Sequence, residues 1–216
     1  MIAAEGVNLF IVDDDPSVRS SITRLLRAEG ADPLAFASAE EFLDHLPRIE
    51  GPSCALLDIG LPGRNGLDLH ARLQALRPEI AVVFLTGHGD VPGAVVSMKR
   101  GAVDFLLKPV EAATLIAALT RAIERARAAS SDKLIRRDIA LRYGELTPRE
   151  REVLTHVIAG KRNKVIAAEI GTTEKTVKVH RGRIMEKMRV KSVADLVRAS
   201  DRLGIKPTPS PPREKA

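Results

Sequence analysis

Five short apolar runs, each followed by an amphipathic stretch, constrain the first half of this chain more than any other feature. Leu9-Phe10-Ile11-Val12 is the first run. It leads into Pro16–Glu29, where Val18, Ile22, Leu25 and Leu26 recur at helical spacing. Asp15-Pro16 supplies an N-cap and a first-turn proline, and Gly30 stops the helix. The cycle returns as Leu34–Phe36 then Ala39–Leu46, Ala55–Asp58 then Gly66–Leu76, Ala81–Leu85 then Val91–Arg100, and Asp104–Leu107 then Glu111–Arg127. The runs are continuously apolar, which implies a sheet covered on both faces. Five such units predict an α/β domain with a five-stranded, parallel, doubly wound sheet.

A parallel sheet gathers the carboxyl ends of its strands on one edge, and sites form there. Asp13 and Asp14 follow the first run, Asp58 ends the third, Thr86 follows the fourth and Lys108 follows the fifth. All five side chains are therefore expected at one edge. Carboxylates in this number suit Mg²⁺, which takes oxygen ligands and keeps several waters. Asp58 can supply one oxygen to the metal and still attack phosphorus as a nucleophile. The metal and the Lys108 ammonium would offset charge on a transferring phosphoryl group, and the Thr86 hydroxyl can donate to one of its oxygens. No G-x-G-x-x-G or G-x-x-x-x-G-K-[ST] follows a strand, which argues against a nucleotide-binding enzyme.

Residues 8–125 resemble the receiver domain of two-component response regulators. The resemblance rests on Ile11-Val12-Asp13-Asp14-Asp15, Leu57-Asp58-Ile59-Gly60-Leu61-Pro62-Gly63, Thr86-Gly87-His88-Gly89-Asp90 and Lys108-Pro109. The stretch from Thr86 to Pro109 is especially similar to the FixJ subgroup. The resemblance implies a flavodoxin-like fold and a phosphoacceptor at Asp58. Asp14 would be a direct Mg²⁺ ligand, Asp13 would act mainly through water, and the Gly60 carbonyl would complete the protein ligands. Thr86 and Phe105 would form a switch pair, Lys108 would pair with the phosphate, and Lys108-Pro109 would be cis. A sensor histidine kinase would be the phosphoryl donor. Phosphorylation would then favour a homodimer through the helix over 91–100, the strand over 104–107 and the helix over 111–127. His88 is read as a loop residue. Gly93 departs from the larger apolar residue frequent there and costs about 1 kcal/mol of helix propensity.

The charge is unevenly divided. Residues 1–127 carry 13 Lys and Arg against 17 Asp and Glu, a balance of −4, and residues 128–216 carry 21 against 11, a balance of +10. The basic part fits a polyanion such as DNA. Residues 128–145 are charged, lack proline and keep helical patterning through Leu134, Ile135 and Ile139, which reads as a helical linker. Thr147-Pro148-Arg149-Glu150 is a capping box with proline at N1. It opens a helix whose buried stripe is Val153, Leu154, Val157 and Ile158. A short helix over Asn163–Ile170 ends at Gly171. Thr172 or Thr173 caps a third helix reaching about Met188, with Val177, His180, Ile184 and Met188 on one face. A fourth covers Ser192–Leu203. Two short helices around a glycine turn give helix-turn-helix geometry.

The outer face of the third helix is read as Lys175, Lys178, Val179, Arg181 and Arg183, a positive face suited to phosphates and guanine edges. Residues 146–200 resemble the LuxR/NarL-type DNA-binding domain. The match lies in Leu146 to Leu154, Asn163-Lys164, Ile166-Ala167 and Thr176-Val177-Lys178-Val179-His180. It implies that Lys178 and Val179 face bases, while Thr176, Lys175 and Arg183 serve backbone or flanking contacts on double-stranded DNA. Lys161 and Arg162 are further candidates for phosphate contacts. Gly182 removes one possible base contact.

These readings divide the chain into a receiver over 1–127, a helical linker over 128–145, an all-α four-helix DNA-binding domain over 146–205 and a disordered tail over 206–216. Four prolines in the last segment motivate the tail. The single Cys54 sits in an apolar run and reads as a buried small side chain, which fits a reducing compartment. No secretory signal pattern and no membrane-length apolar run occurs, so a cytoplasmic protein without a membrane partner is expected. The expected function is a DNA-binding response regulator, not an enzyme.

Overall fold

A computed structural model of the chain describes residues 2, 4–63, 65–87 and 101–209. The helix expected over 91–100, with Gly93, His88 and the Gly89-Asp90 pair, lies outside the described residues, as do residues 210–216. The chain divides into two compact units, residues 1–133 and 134–216.

In the first unit, strands β1 (Asn8–Val12), β2 (Leu34–Phe36), β3 (Ser53–Asp58), β4 (Ala81–Thr86) and β5 (Asp104–Leu107) form one sheet. Its order is β2-β1-β3-β4-β5, and every neighbouring pair is parallel. Helices α1 (Pro16–Ala28), α2 (Ala39–His45) and α3 (Gly66–Leu76) connect the strands, and α4 (Ala112–Gly144) follows β5. This is the doubly wound arrangement expected from the apolar runs, in the flavodoxin-like strand order that the receiver resemblance implies.

Residues of opposite parity along the strands feed two cores. Leu9, Ile11, Cys54, Leu56, Val83 and Leu85 pack with Ile22 and Leu26 of α1 and with Leu115, Leu119 and Ile123 of α4. Phe10, Val12, Leu57, Val82 and Phe84 pack with Phe42 of α2 and with Leu69 and Leu73 of α3. Cys54 is fully buried, and burial pushes its thiol up to about 12. The α1 helix begins where Asp15 accepts from the Ser17 and Val18 amides.

Helix α4 extends well past Arg127 and ends at Gly144, so most of residues 128–145 lie in it. The second unit holds α5 (Pro148–Ile158), α6 (Asn163–Glu169), α7 (Glu174–Lys187) and α8 (Val193–Arg202). Thr147 and Glu150 form the capping box, and Thr173 caps α7. Val153, Leu154, Val157, Ile166, Val177, Ile184, Met188 and Leu196 share one core with Ile139. The start of the expected disordered tail is tied down. Thr208 donates its amide to the Thr155 carbonyl at 3.1 Å and its hydroxyl to Thr155 Oγ1 at 2.8 Å. Among the described residues no helix is long and apolar enough to cross a membrane.

Candidate functional site

The carboxyl edge of the sheet gathers the side chains expected there. Asp13 follows β1 and is almost fully buried, at 1% exposure, while Asp14 beside it is exposed. Asp58 ends β3 and Thr86 ends β4, both buried. Lys108 follows β5, and its backbone amide donates to the Thr86 carbonyl at 2.7 Å. That bond and the strand register bring Thr86 and Lys108 side by side. The Lys108 ammonium bridges two carboxylates: it donates to Asp13 Oδ2 at 2.6 Å and to Asp58 Oδ2 at 2.7 Å. The Lys108-Pro109 bond is cis.

Every polar atom of Asp13 is engaged. Its amide donates to the Phe36 carbonyl, and its own carbonyl accepts from Arg19 Nη1 at 2.6 Å. Its Oδ1 accepts from the Asp15 amide at 3.0 Å, and its Oδ2 holds Lys108. Burial raises the Asp13 carboxyl, and the bonds from Lys108 and Asp15 offset that only in part. Burial pulls the Lys108 ammonium down, but its hydrogen bonds to Asp13 and Asp58 outweigh this, so its affinity for a proton is raised.

Asp58 Oδ1 accepts from the Gly60 amide at 3.0 Å, which fixes the turn carrying the Gly60 carbonyl. One carboxylate oxygen from each of Asp13, Asp14 and Asp58 lies within 4.8 Å of the others. Hard oxygen donors at this spacing, one of them exposed, suit a hydrated Mg²⁺. Phe105 pairs in register with Phe84 and is half-buried against the core on that face. Arg19 carries no pattern signal in the sequence, because its role depends on how α1 returns past β1.

In the second unit, α6 and α7 are joined through Gly171, whose φ of +65° lies in the left-handed region open to glycine. Arg149 of α5 donates to the Ile170 carbonyl and so pins that turn. Lys187, in the last turn of α7, pairs with buried Glu150 at 2.7 Å and donates to the Glu145 carbonyl. Glu150 is held below the ordinary carboxylate range: burial raises it, but the bonds from Lys187 and Thr147 prevail.

Of the residues expected to meet DNA, Lys175, Lys178, Val179 and Arg183 are exposed on α7, Val179 at 47%. Thr176 is half-buried and shares a hydroxyl bond with Thr173. Two further candidates are placed differently. Arg181 does not share the outer face. It is half-buried and lines a cleft of about 150 Å³ with Val157, Ile184, Met185, Val193 and Leu196. The helical period explains this, since position 181 lies near the buried 177–184–188 stripe rather than the 175–178–179 stripe. Lys161 is likewise committed elsewhere. Its ammonium binds both Glu169 oxygens at 2.8 and 3.0 Å, with its side chain only 8% exposed. Arg162 is exposed at the start of α6.

Comparison with known proteins covers both units. Residues 9–120 match the response regulator receiver domain, and residues 144–200 match the bacterial regulatory proteins of the luxR family. Nodulation protein W of Bradyrhizobium diazoefficiens is 44% identical over 198 residues, covering 91% of this chain and 86% of its own. The transcriptional regulatory protein FixJ of the same organism is 40% identical over 198 residues, covering 92% and 96%. Among solved structures, the response regulator StyR superposes with a TM-score of 0.75 at 38% identity, covering 91% of this chain and 99% of its own.

Proposed function

The chain belongs to the response regulators that join a receiver domain to a LuxR-type DNA-binding domain, a family of two-component transcription regulators, and from that membership we propose which of its residues carry the switch. Asp58 is the phosphoacceptor. A carboxylate oxygen of Asp58 forms a bond to phosphorus as the bond from phosphorus to the imidazole nitrogen of a sensor kinase's phosphohistidine breaks. Asp13, Asp14, Asp58 and the Gly60 carbonyl would hold Mg²⁺. When bound, the cation supplies positive charge against the transferring phosphoryl oxygens.

The observation that carries this reading is the Lys108 ammonium suspended between Asp13 and Asp58. A single cation already balances two carboxylates where a phosphoryl group would add further negative charge. Lys108 then pairs with the phosphoryl oxygens, Thr86 donates its hydroxyl to one of them, and Phe105 turns inward as Thr86 moves. The phosphoryl group thereby favours one of two pre-existing receiver states.

In the favoured state two chains pair through residues 91–100, β5 and the first half of α4. Two copies of α7 then reach paired half-sites of double-stranded DNA. Lys178 and Val179 meet base edges, Lys175, Thr176 and Arg183 meet the backbone or flanking bases, and Arg181 completes the DNA-binding set from the flank of α7. The receiver spans 1–127, the helical linker 128–145, the DNA-binding domain 146–205 and the tail 206–216. The protein works in the cytoplasm as a regulator and turns over no substrate of its own.

Labelling tests the acceptor. Incubated with Mg²⁺ and radiolabelled acetyl phosphate, the native protein is expected to take up acid-stable, base-labile label that Asp58→Asn lacks. Equal labelling of the two proteins would remove Asp58 from this role.

A further inference from the structure

The first turn of α3 passes against the main chain of the acceptor residue. Gly66, buried at the start of that helix, donates its amide to the Ile59 carbonyl at 3.1 Å and so closes the loop that leaves β3. A Cβ built at Gly66 would lie 2.1 Å from the Asp58 carbonyl oxygen, 2.9 Å from the Asp58 carbonyl carbon and 2.9 Å from Ile59 Cα. All three are main-chain atoms, so no side chain can swing aside to make room. Ordinary contact begins at 3.4 Å, and a single methyl group would therefore force the acceptor backbone and the helix apart by on the order of 1 Å.

Resting on the assignment of Asp58 as acceptor, we propose that Gly66 is a positioning residue for phosphoryl transfer: its lack of a side chain lets α3 brace the Asp58 main chain and hold the carboxylate in place. The geometry downstream of that brace is tight. Asp58 Oδ1 is tied to the Gly60 amide, and Oδ2 to Lys108. A shift of the Asp58 backbone changes where the nucleophilic oxygens stand relative to the Gly60 amide and Lys108, their present hydrogen-bond partners. Transfer steps are sensitive to such displacement, with about 1 Å of misplacement costing roughly a hundredfold. Gly66 touches no reacting atom and acts through Asp58.

Asn65 provides the matched control. Its side chain caps the same helix by accepting from the Asp68 amide at 2.8 Å. Asn65→Ala loosens the start of α3 without inserting atoms against Asp58. The test is a beryllofluoride titration in Mg²⁺, read by change in sedimentation coefficient, on the full-length native protein, Gly66→Ala, Asn65→Ala and Asp58→Asn, with thermal unfolding of each. The expected result is a cooperative melting transition in all four, at least a tenfold loss of apparent beryllofluoride affinity in Gly66→Ala, and a change below about threefold in Asn65→Ala. A native-like titration of Gly66→Ala would overturn the proposal. So would equal losses in Gly66→Ala and Asn65→Ala, or a Gly66→Ala chain with no melting transition, since either makes Gly66 a requirement of folding alone. If the native protein itself does not respond, or Asp58→Asn responds equally, the switch at Asp58 on which the proposal rests fails first.

Discussion

At the scale of single residues, the two units treat buried charge in different ways. In the receiver, Lys108 balances Asp13 and Asp58 at the sheet edge, with its own side chain partly exposed. In the second unit, Glu150 is closed off: it caps α5, accepts from the Thr147 amide and grips Lys187 across to α7. Replacing it by Gln leaves the cap partly intact and removes the ion pair. We expect Glu150→Gln to destabilise the DNA-binding unit by about 1–3 kcal/mol at neutral pH. Because the native carboxyl is held below its ordinary value of 4.5, the stabilisation is full above that value. It is lost as the pH falls through the depressed native one. Denaturant unfolding from pH 7 downward should show native and variant converging in acid. A difference that grows toward low pH would contradict the assignment.

At the scale of elements, α7 and the α5–α6 turn separate two kinds of lysine. Lys178 stands exposed on the outer face, whereas Lys161 is held by Glu169. Lys178→Ala should weaken DNA binding and lower the salt dependence of the binding constant by about one unit of slope. Lys161→Ala should leave that slope unchanged. Binding isotherms across a salt series check both, and a slope change in Lys161→Ala would return it to the DNA surface.

Sequence periodicity alone places most of these elements. The continuous apolar runs identify all five strands, and through them the shared edge of Asp13, Asp58, Thr86 and Lys108. The Thr147–Glu150 capping box marks the start of α5 to the residue. What periodicity misses are pairings between distant segments. Lys161 reads as a free cation until Glu169 folds back onto it. Lys206–Pro209 reads as disordered until Thr208 meets Thr155. Arg181 is grouped with the outer face by its charge, although its angular position on the helix lies beside the buried stripe. Gly66 reads as an ordinary helix start, because the proximity of the Asp58 main chain is a property of tertiary packing.

At the scale of the whole molecule, an acidic unit that senses charge and a basic unit that seeks it are coded in one chain. Charge added at Asp58 is expected to change what the basic unit binds. Sedimentation velocity in Mg²⁺, with and without beryllofluoride, followed by DNA binding on the same samples, addresses it directly. The native protein is expected to convert from monomer to dimer and to gain roughly tenfold or more in DNA affinity, within the usual range of coupling between sites. Asp58→Asn should show neither change. If beryllofluoride leaves the native protein's mass and DNA affinity unaltered, or alters Asp58→Asn to the same degree, the phosphorylation-driven switch is contradicted and the second unit binds DNA independently of the first.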